Sequence, residues 1–215
     1  MSELHKELTW PTVQRLTEYL IILEQFEESG KEIISSSELA EIYCNTASQV
    51  RQDLFRLPNT GRVGHGYNVS QLSAAIREVL LINNKSNVVI IGCGNLGSTL
   101  AAHIQFDNYG MNLVGAFDSD PELIGKKVGC AEIFDIETVS EFIKKNNVKV
   151  ACLCVPANAA QKIVDDVIDA GVNGILNYSR KRLKVPNHVF VQHKQIICSF
   201  MQVVYASKEL ESKIK

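Results

Sequence analysis

The chain has 215 residues, 46% of them hydrophobic and 21% charged, with a formal net charge of −2. That length holds one domain and a smaller companion, and the composition is ordinary for a soluble globular protein. The near-neutral charge excludes a globally basic nucleic-acid binder, so any DNA contact comes from a local patch. The most apolar early run, Tyr19-Leu20-Ile21-Ile22-Leu23, is too short to span a membrane and ends at Glu24. The N-terminal Met1-Ser2-Glu3-Leu4-His5-Lys6-Glu7 carries no signal-peptide pattern. Of the six cysteines none forms a C-x-x-C pair, and Cys93, Cys152 and Cys154 fall in expected buried strands, so the expectation is a cytoplasmic protein with reduced, core-packing thiols. Cys152-x-Cys154 places two thiols on one strand face, but no His or Cys cluster follows that would complete a metal site.

In chain order, Pro11 to Glu28 places Val13, Leu16, Leu20, Leu23 and Phe26 at three- and four-residue steps. This predicts an amphipathic helix with Pro in its first turn, Gly30 as its stop, and Arg15 and Glu18 on its polar side. Ser35 to Tyr43 begins with a hydroxyl cap and predicts a short helix. After a break at Cys44-Asn45, Thr46 to Leu57 starts a second helix. Two short helices joined by a tight turn describe a helix-turn-helix, with small Ala40 at the crossing and Val50 pinned to the core. On the outer face of the second helix, Ser48, Gln49, Arg51, Gln52 and Arg56 are of the types that reach phosphates and base edges. An ordinary helical pair with a solvated face fits the same pattern. The glycine-spaced Gly61-Arg62-Val63-Gly64-His65-Gly66-Tyr67-Asn68-Val69 is consistent with a small hairpin, the wing of a winged helix, with Arg62 and His65 at its tip and Tyr67 also toward DNA; taken alone, a plain loop fits it too. A further helix runs from Ser70 through Leu72, Ile76, Val79 and Leu80. The polar Asn83-Asn84-Lys85-Ser86-Asn87 is the expected linker, dividing residues 1–83 from 84–215.

The second part opens on Val88-Val89-Ile90-Ile91, a buried strand, followed by Gly92, Cys93, Gly94, Asn95, Leu96 and Gly97. The glycines fall at G-x-G-x-x-G spacing, and a helical pattern opens at Ser98. The first glycine allows a tight turn, the second a close pyrophosphate, the third close helix–strand packing. A second apolar strand, Met111 to Phe117, ends in Asp118, about 20 residues on, where a carboxylate accepts both ribose hydroxyls and repels a 2′-phosphate. This predicts a dinucleotide fold binding NAD(H) rather than NADP(H), against the plainer reading of a glycine turn in a nucleotide-free α/β domain. After a turn at Ser119-Asp120-Pro121, Glu137 to Asn146 reads as a helix. The strand Val148 to Val155 ends at Pro156-Ala157, and the carboxyl end of such a strand is where open α/β sheets place ligands. A helix from Asn158 to Ala170, the strand Gly174-Ile175-Leu176-Asn177-Tyr178 and a basic corner Ser179-Arg180-Lys181-Arg182 follow. Strand Val189-Phe190-Val191 precedes a last helix with a wide apolar face: Ile196, Ile197, Phe200, Val203, Val204 and Tyr205.

In this order the elements resemble the Rex family of redox-sensing transcriptional repressors over nearly the whole length. The resemblance rests on Arg15-Leu16, Ser36 to Ala40, Val50-Arg51 with Asp53, Gly64-His65-Gly66-Tyr67-Asn68-Val69 and Gly94-Asn95-Leu96-Gly97. Ala116-Phe117-Asp118-Ser119-Asp120-Pro121, Val155-Pro156-Ala157 and Gly174-Ile175-Leu176-Asn177-Tyr178 complete it. It implies a winged-helix domain, a Rossmann-like parallel-sheet domain, and a homodimer that exchanges its C-terminal helix between subunits. It also implies binding to an A/T-rich inverted repeat in double-stranded DNA when NADH is low, and release when NADH closes the dimer. Its cofactor contacts carry over to Gly92, Cys93, Gly94, Asn95, Leu96, Gly97, Asp118, Ser119, Val155, Pro156, Ala157, Asn177 and Tyr178. The chain departs from the family where a second recognition-helix arginine is usual (Gln52) and where Tyr is usual after the glycine loop (His103). It departs again where Asp is usual in the exchanged segment (Gln195) and where Ala-Pro is usual after the Asn-aromatic pair (Ser179-Arg180). Arg15, His103 and Gln195 are then the switch positions. The alternatives are a Rex-like DNA-binding protein with a reduced or altered NADH response, and an NAD-dependent oxidoreductase using Tyr178 or His103.

Overall fold

The computed structural model describes residues 8–58 and 66–214. The chain divides after Asn84 into two compact units.

The first unit is helical. α1 (Trp10–Glu28) starts with Pro in its first turn and is followed by Gly30 in left-handed backbone. α2 (Ser36–Ile42) and α3 (Ala47–Leu54) are each capped by a hydroxyl. Glu38 N–H donates to Ser35 Oγ (3.1 Å) and Gln49 N–H to Thr46 Oγ1 (3.2 Å). Each cap contributes about 1 kcal/mol, enough to decide where a helix this short begins. α4 (Val69–Val79) is capped in the same way by Asn68. Leu16, Tyr19, Leu20 and Leu23 of α1 pack with Leu39, Val50, Leu54, Leu72 and Ile76 in one core, and Arg77 of α4 pairs with Glu24 of α1. Tyr19 is a core residue that the apolar periodicity passes over, because its hydroxyl needs a buried partner to be there.

That partner is Asp53. Its side chain is 3% exposed. It accepts from Arg15 Nε (2.6 Å) and Nη2 (2.7 Å), from Tyr19 Oη–H (3.2 Å) and from Gln49 Nε2 (3.1 Å). A buried carboxylate is costly unless paired and hydrogen-bonded, and here three side chains from α1 and α3 share that task. The hydrogen bonds that Arg15 donates to Asp53 raise the Arg15 pKa, and burial followed by the Asp53 charge raises that of Tyr19.

The expected wing hairpin is only partly within the described residues: Arg62 and His65 lie outside them. Tyr67–Asn68 (β2) pairs antiparallel with Ile33–Ile34 (β1), ahead of α2. The ladder partner of the segment is therefore a two-residue strand that the sequence reading leaves in a loop.

The second unit is a seven-stranded sheet in the order β5-β6-β4-β3-β7-β8-β9. β3 (Ser86–Ile91), β4 (Met111–Asp118), β6 (Ala131–Asp135), β7 (Val150–Leu153), β8 (Gly174–Asn177) and β9 (Phe190–His193) run parallel. β5 (Lys127–Val128) runs antiparallel to β6, and neither was expected. Ser86 and Asn87, expected in the linker, are the first ladder residues of β3, opposite Met111 and Asn112. Both sheet faces are covered, so β3 is apolar at successive positions. Val89 and Ile91 pack with Phe117 and Leu153 on one side, Val88 and Ile90 with Ala116 and Ile133 on the other. α5 (Asn95–His103), α6 (Val139–Lys145) and α7 (Ala160–Asp169) supply the cover. Leaving out β5, the order is doubly wound, with the chain reversing direction across the sheet between β3 and β7. α8 (Ile196–Ile214) ends the unit with its apolar side chains exposed.

Asp53→Asn keeps the side-chain volume and removes the charge that three donors share. We expect a loss of roughly 2–3 kcal/mol in the first unit, the scale of hydrogen bonds to a charged group. It would be read as a lowered urea midpoint, and an unchanged midpoint would remove Asp53 from that role.

Candidate functional site

α5 begins at Asn95, three residues before the expected Ser98. Its first helical bond runs from Ser98 N–H to the Gly94 carbonyl (2.9 Å), so the amides of Asn95, Leu96 and Gly97 have no partner within the helix. The three glycines have three separate reasons. Gly92 is in left-handed backbone, φ +92°, and a Cβ there would lie 2.6 Å from the Cys154 carbonyl oxygen. A Cβ on Gly97 would lie 1.8 Å from the Gly92 carbonyl oxygen, so helix and turn touch with no room for a side chain. A Cβ on Gly94 would meet nothing within 4 Å. Gly94 is needed for space above it rather than for packing beneath it.

Beside this opening stands Asp118, at the carboxyl end of β4. Its Oδ2 accepts the Cys93 N–H (2.5 Å) and its Oδ1 the Asp120 N–H (3.0 Å). Cys93 is buried, its thiol pushed up to about 11 by burial and by the Asp118 charge, with its Sγ 3.5 Å from the Phe117 carbonyl. Val155, Pro156 and Ala157 leave the end of β7 across the switch point, and Tyr178 leaves the end of β8. Open space over Gly94, a helix N-terminus facing it and a carboxylate on the next strand together fit a dinucleotide. A free helix N-terminus suits a pyrophosphate, and a carboxylate on the next strand suits a ribose.

Asn177 is placed differently from the expectation. It is 0% exposed. Its Nδ2 donates to the Lys181 carbonyl (2.9 Å) and to His193 Nδ1 (2.8 Å), while its Oδ1 accepts from Ser179 N–H (2.9 Å). Asn177 therefore shapes the turn that carries Tyr178 and offers no free group to a cofactor. Cys152 and Cys154 are both half-buried: Cys152, within β7, packs against the core on one sheet face, and Cys154 lies one residue past the end of β7 at Leu153.

In the first unit, Ser48, Arg51, Gln52, Phe55 and Arg56 line one shallow surface concavity of about 420 Å³. They recur at helical spacing along α3 and its last turn. Phe55 is 90% exposed, and apolar periodicity had no reason to single it out as functional. Arg51 also donates through Nη1 to Ser36 Oγ (3.2 Å), tying α3 to the start of α2. Gln49, expected on this outer face, turns inward to Asp53 instead. Tyr67 is half-buried in β2.

The comparisons bear on both units. Residues 83–180 match the family model described as a CoA binding domain, and residues 7–54 the one described as a putative DNA-binding protein N-terminus. The redox-sensing transcriptional repressor Rex of Clostridioides difficile (strain 630) is 36% identical over 205 residues, 95% of this chain and 98% of that protein. Rex of Thermoanaerobacter pseudethanolicus is 37% identical over 211 residues, 97% and 94% of the two chains. The crystal structure of RSP in complex with beta-NADH superposes with a TM-score of 0.86 at 36% identity, covering 97% of this chain and 99% of that one. RSP in complex with beta-NAD+ and operator DNA gives 0.84 at 36% identity, covering 96% of each. The chain belongs to the Rex family of redox-sensing transcriptional repressors.

Rex is a family of repressors rather than of enzymes, and three positions are expected from the resemblance to carry its switch. Arg15, expected to await a partner's exchanged segment, is engaged at close range by Asp53 of its own unit and lies 3.3 Å from Thr12 Oγ1. His103 ends α5 and is exposed. Gln195 is exposed ahead of α8, its carbonyl accepting the Cys198 N–H (3.0 Å). The structure thus leaves two of the three positions outward-facing and commits the third.

Two predictions follow from this geometry. Gly94→Ala keeps the unfolding midpoint and weakens nucleotide binding by about tenfold or more, a loss above ~1.4 kcal/mol. Gly97→Ala instead costs roughly 1–3 kcal/mol of stability through overpacking. Calorimetric titration beside thermal unfolding separates them, and equal behaviour of the two variants would refute the assignment. The second concerns His193, whose pKa is lowered by burial and then by Arg182. Its Nδ1 accepts from Asn177, which requires the neutral ring. The unfolded chain takes up that proton first, so stability is full above the unfolded value near 6.5 and is lost as pH falls through the lower folded value. Urea midpoints measured from pH 7 to pH 5.5 should fall less steeply in His193→Gln; parallel curves would count against it.

Proposed function

We propose that the chain is a cytoplasmic DNA-binding repressor whose operator affinity is set by the NADH/NAD+ ratio. The observation that carries this reading is the open cradle over Gly94 beside Asp118, on a chain whose other unit presents the Ser48, Arg51, Gln52, Phe55, Arg56 face. The Gly92–Gly97 turn holds the pyrophosphate, Asp118 the adenosine ribose, and Val155, Pro156, Ala157 and Tyr178 line the nicotinamide side. NAD(H) supplies one thing when bound: a ring that is neutral when reduced and cationic when oxidised. Burial raises the Tyr178 pKa, so its phenol stays a neutral donor, and the aliphatic Val155 and Pro156 add no charge there. A crevice so lined favours the neutral ring over the cation.

On the DNA side, Arg51 and Arg56 suit phosphates or guanine, Gln52 suits the adenine edge, and Phe55 offers an apolar surface to a thymine methyl. Those last two preferences agree with an A/T-rich inverted repeat. Arg62 and His65, outside the described residues, are kept in this reading as DNA contacts on the strength of the sequence pattern alone. An inverted repeat requires a two-fold dimer, and the exposed apolar side chains of α8, among them Ile196, Ile197, Phe200, Val203 and Tyr205, are the surface such a dimer buries by exchange.

The test is a mobility-shift titration on an A/T-rich inverted repeat. NADH should lower operator affinity by several-fold to about a hundredfold, the range given by 1–3 kcal/mol of coupling, and NAD+ should not. Arg56→Ala should reduce the salt dependence by about one phosphate contact. An operator shift unchanged by NADH would replace this reading with that of a constitutive DNA-binding relative.

A further inference from the structure

Cys152 and Cys154 stand at positions i and i+2 at the end of β7 and so share one face. Their Sγ atoms are 3.8 Å apart, both residues are half-buried, and neither is in a disulfide. The two are not equivalent. Cys152 is held in the ladder between Ile90 and Leu176, whereas Cys154 lies one residue past the last paired position, Leu153. We propose that Cys152 and Cys154 are an oxidisable dithiol that reacts with a peroxide, closes to a reversible intrachain disulfide, and thereby changes the adjoining nucleotide cradle.

The electrostatics agree with that division of labour. The hydrogen bond from the Cys152 thiol lowers the Cys154 pKa, and the same bond, with burial, raises that of Cys152. Cys154, past the end of the strand, is then the more readily deprotonated thiol that attacks, and Cys152 the partner that keeps its proton until the second step. The Cys154 sulfur attacks one oxygen of hydrogen peroxide, the O–O bond breaks, and the departing hydroxide takes a proton to become water. Cys154 is left as a sulfenic acid. The Cys152 sulfur attacks the Cys154 sulfur, an S–S bond forms, the S–O bond breaks, and hydroxide leaves with the Cys152 proton as a second water. Two thiols and one peroxide give one disulfide and two waters. Each sulfur is oxidised by one electron and the peroxide is reduced by two.

The disulfide must draw the sulfurs in to about 2.05 Å. Cys152 is fixed by strands on both sides, so Cys154 is the residue that moves. It cannot move alone. Its N–H donates to the Ile91 carbonyl (2.7 Å), and the Gly92 turn lies so close to its carbonyl that a Cβ would come within 2.6 Å. A Cβ on Gly97 would likewise lie 3.4 Å from the Cys154 Cβ. Shifting Cys154 therefore disturbs the turn that shapes the pyrophosphate site. The effect on nucleotide rests on the cradle being an NAD(H) site; the thiol chemistry does not.

The experiment uses the full chain carrying Cys44→Ser, Cys130→Ser and Cys198→Ser, which removes the exposed thiols. A few equivalents of hydrogen peroxide should take two mass units from the peptide that holds Cys152 and Cys154, and dithiothreitol should restore them. Adding Cys152→Ser should stop the reaction at a Cys154 sulfenic acid that dimedone captures. Adding Cys154→Ser should leave Cys152 unlabelled. NADH titration by fluorescence should then show a dissociation constant that differs several-fold or more between the oxidised and reduced forms. A peptide left unmodified by peroxide, or one cross-linked to Cys93 instead, overturns the dithiol. A disulfide that forms without altering NADH binding overturns the coupling. Failure of the reduced protein to bind NADH at all refutes the NAD(H) reading and with it the coupling, while the disulfide still reports on the thiols.

Discussion

The second unit depends on one contact that contains no side chain. The third glycine of the loop approaches the carbonyl of the first so closely that a methyl group would sit 1.8 Å from its oxygen. From the other side the Cys154 carbonyl closes on Gly92. Helix α5, the β3 turn and the end of β7 thus meet backbone to backbone at the point where the sheet reverses its winding. Because α5 is seated this deeply, its N-terminal amides face the crevice, and the partial positive charge of the helix end lies where an anion is expected. Any side chain in the contact would lift the helix, and the anion site would go with it.

The first unit is organised around the opposite kind of object, a buried charge. Ion pairs of this sort gain little or nothing over well-packed hydrophobic residues, since desolvation offsets the Coulomb attraction. Asp53 is better understood as an orienting group. Arg15 grips both its oxygens, Tyr19 reaches it through the core, and Gln49 holds it from the preceding turn of its own helix. With α1 and α3 locked at that node, the residues on the far side of α3, from Ser48 to Arg56, have one orientation toward solvent. An apolar node would hold the helices together while fixing their rotation less sharply.

How much of this was legible in the sequence follows from how local each signal is. The glycine loop, the strands beside it and Asp118 were readable because their meaning lies in short spacings and continuous apolar runs. The hydroxyl caps at Ser35 and Thr46 were readable for the same reason. The Arg15–Asp53 pair was not legible because its members stand 38 residues apart, whereas the inward turn of Gln49 to Asp53 is an i, i+4 contact within α3 that was passed over in favour of the outer face. Asn177 looked like a cofactor ligand because it ends a strand at the right edge of the sheet. That its amide is used up by Ser179, Lys181 and His193 is a property of the folded turn. The two-residue strands β1 and β5 carry too few residues for any alternation to register. Phe55 escaped because an apolar residue on a polar face looks like noise until its exposure is known.

The nicotinamide and the dithiol converge on the same few atoms. A reduced ring differs from an oxidised one by a single positive charge, and in the proposed site a partly desolvated crevice lined by Val155, Pro156 and Tyr178 would convert that charge into a difference in affinity. Only such a difference can shift a conformational equilibrium, because a ligand bound equally by two states shifts nothing however tightly it is held. Cys154 stands one residue before Val155 and against Gly92, so a change in its position alters both the apolar wall and the pyrophosphate turn. In the proposed reading, the charge of the nicotinamide and the state of the two thiols would both be felt at the same end of β7.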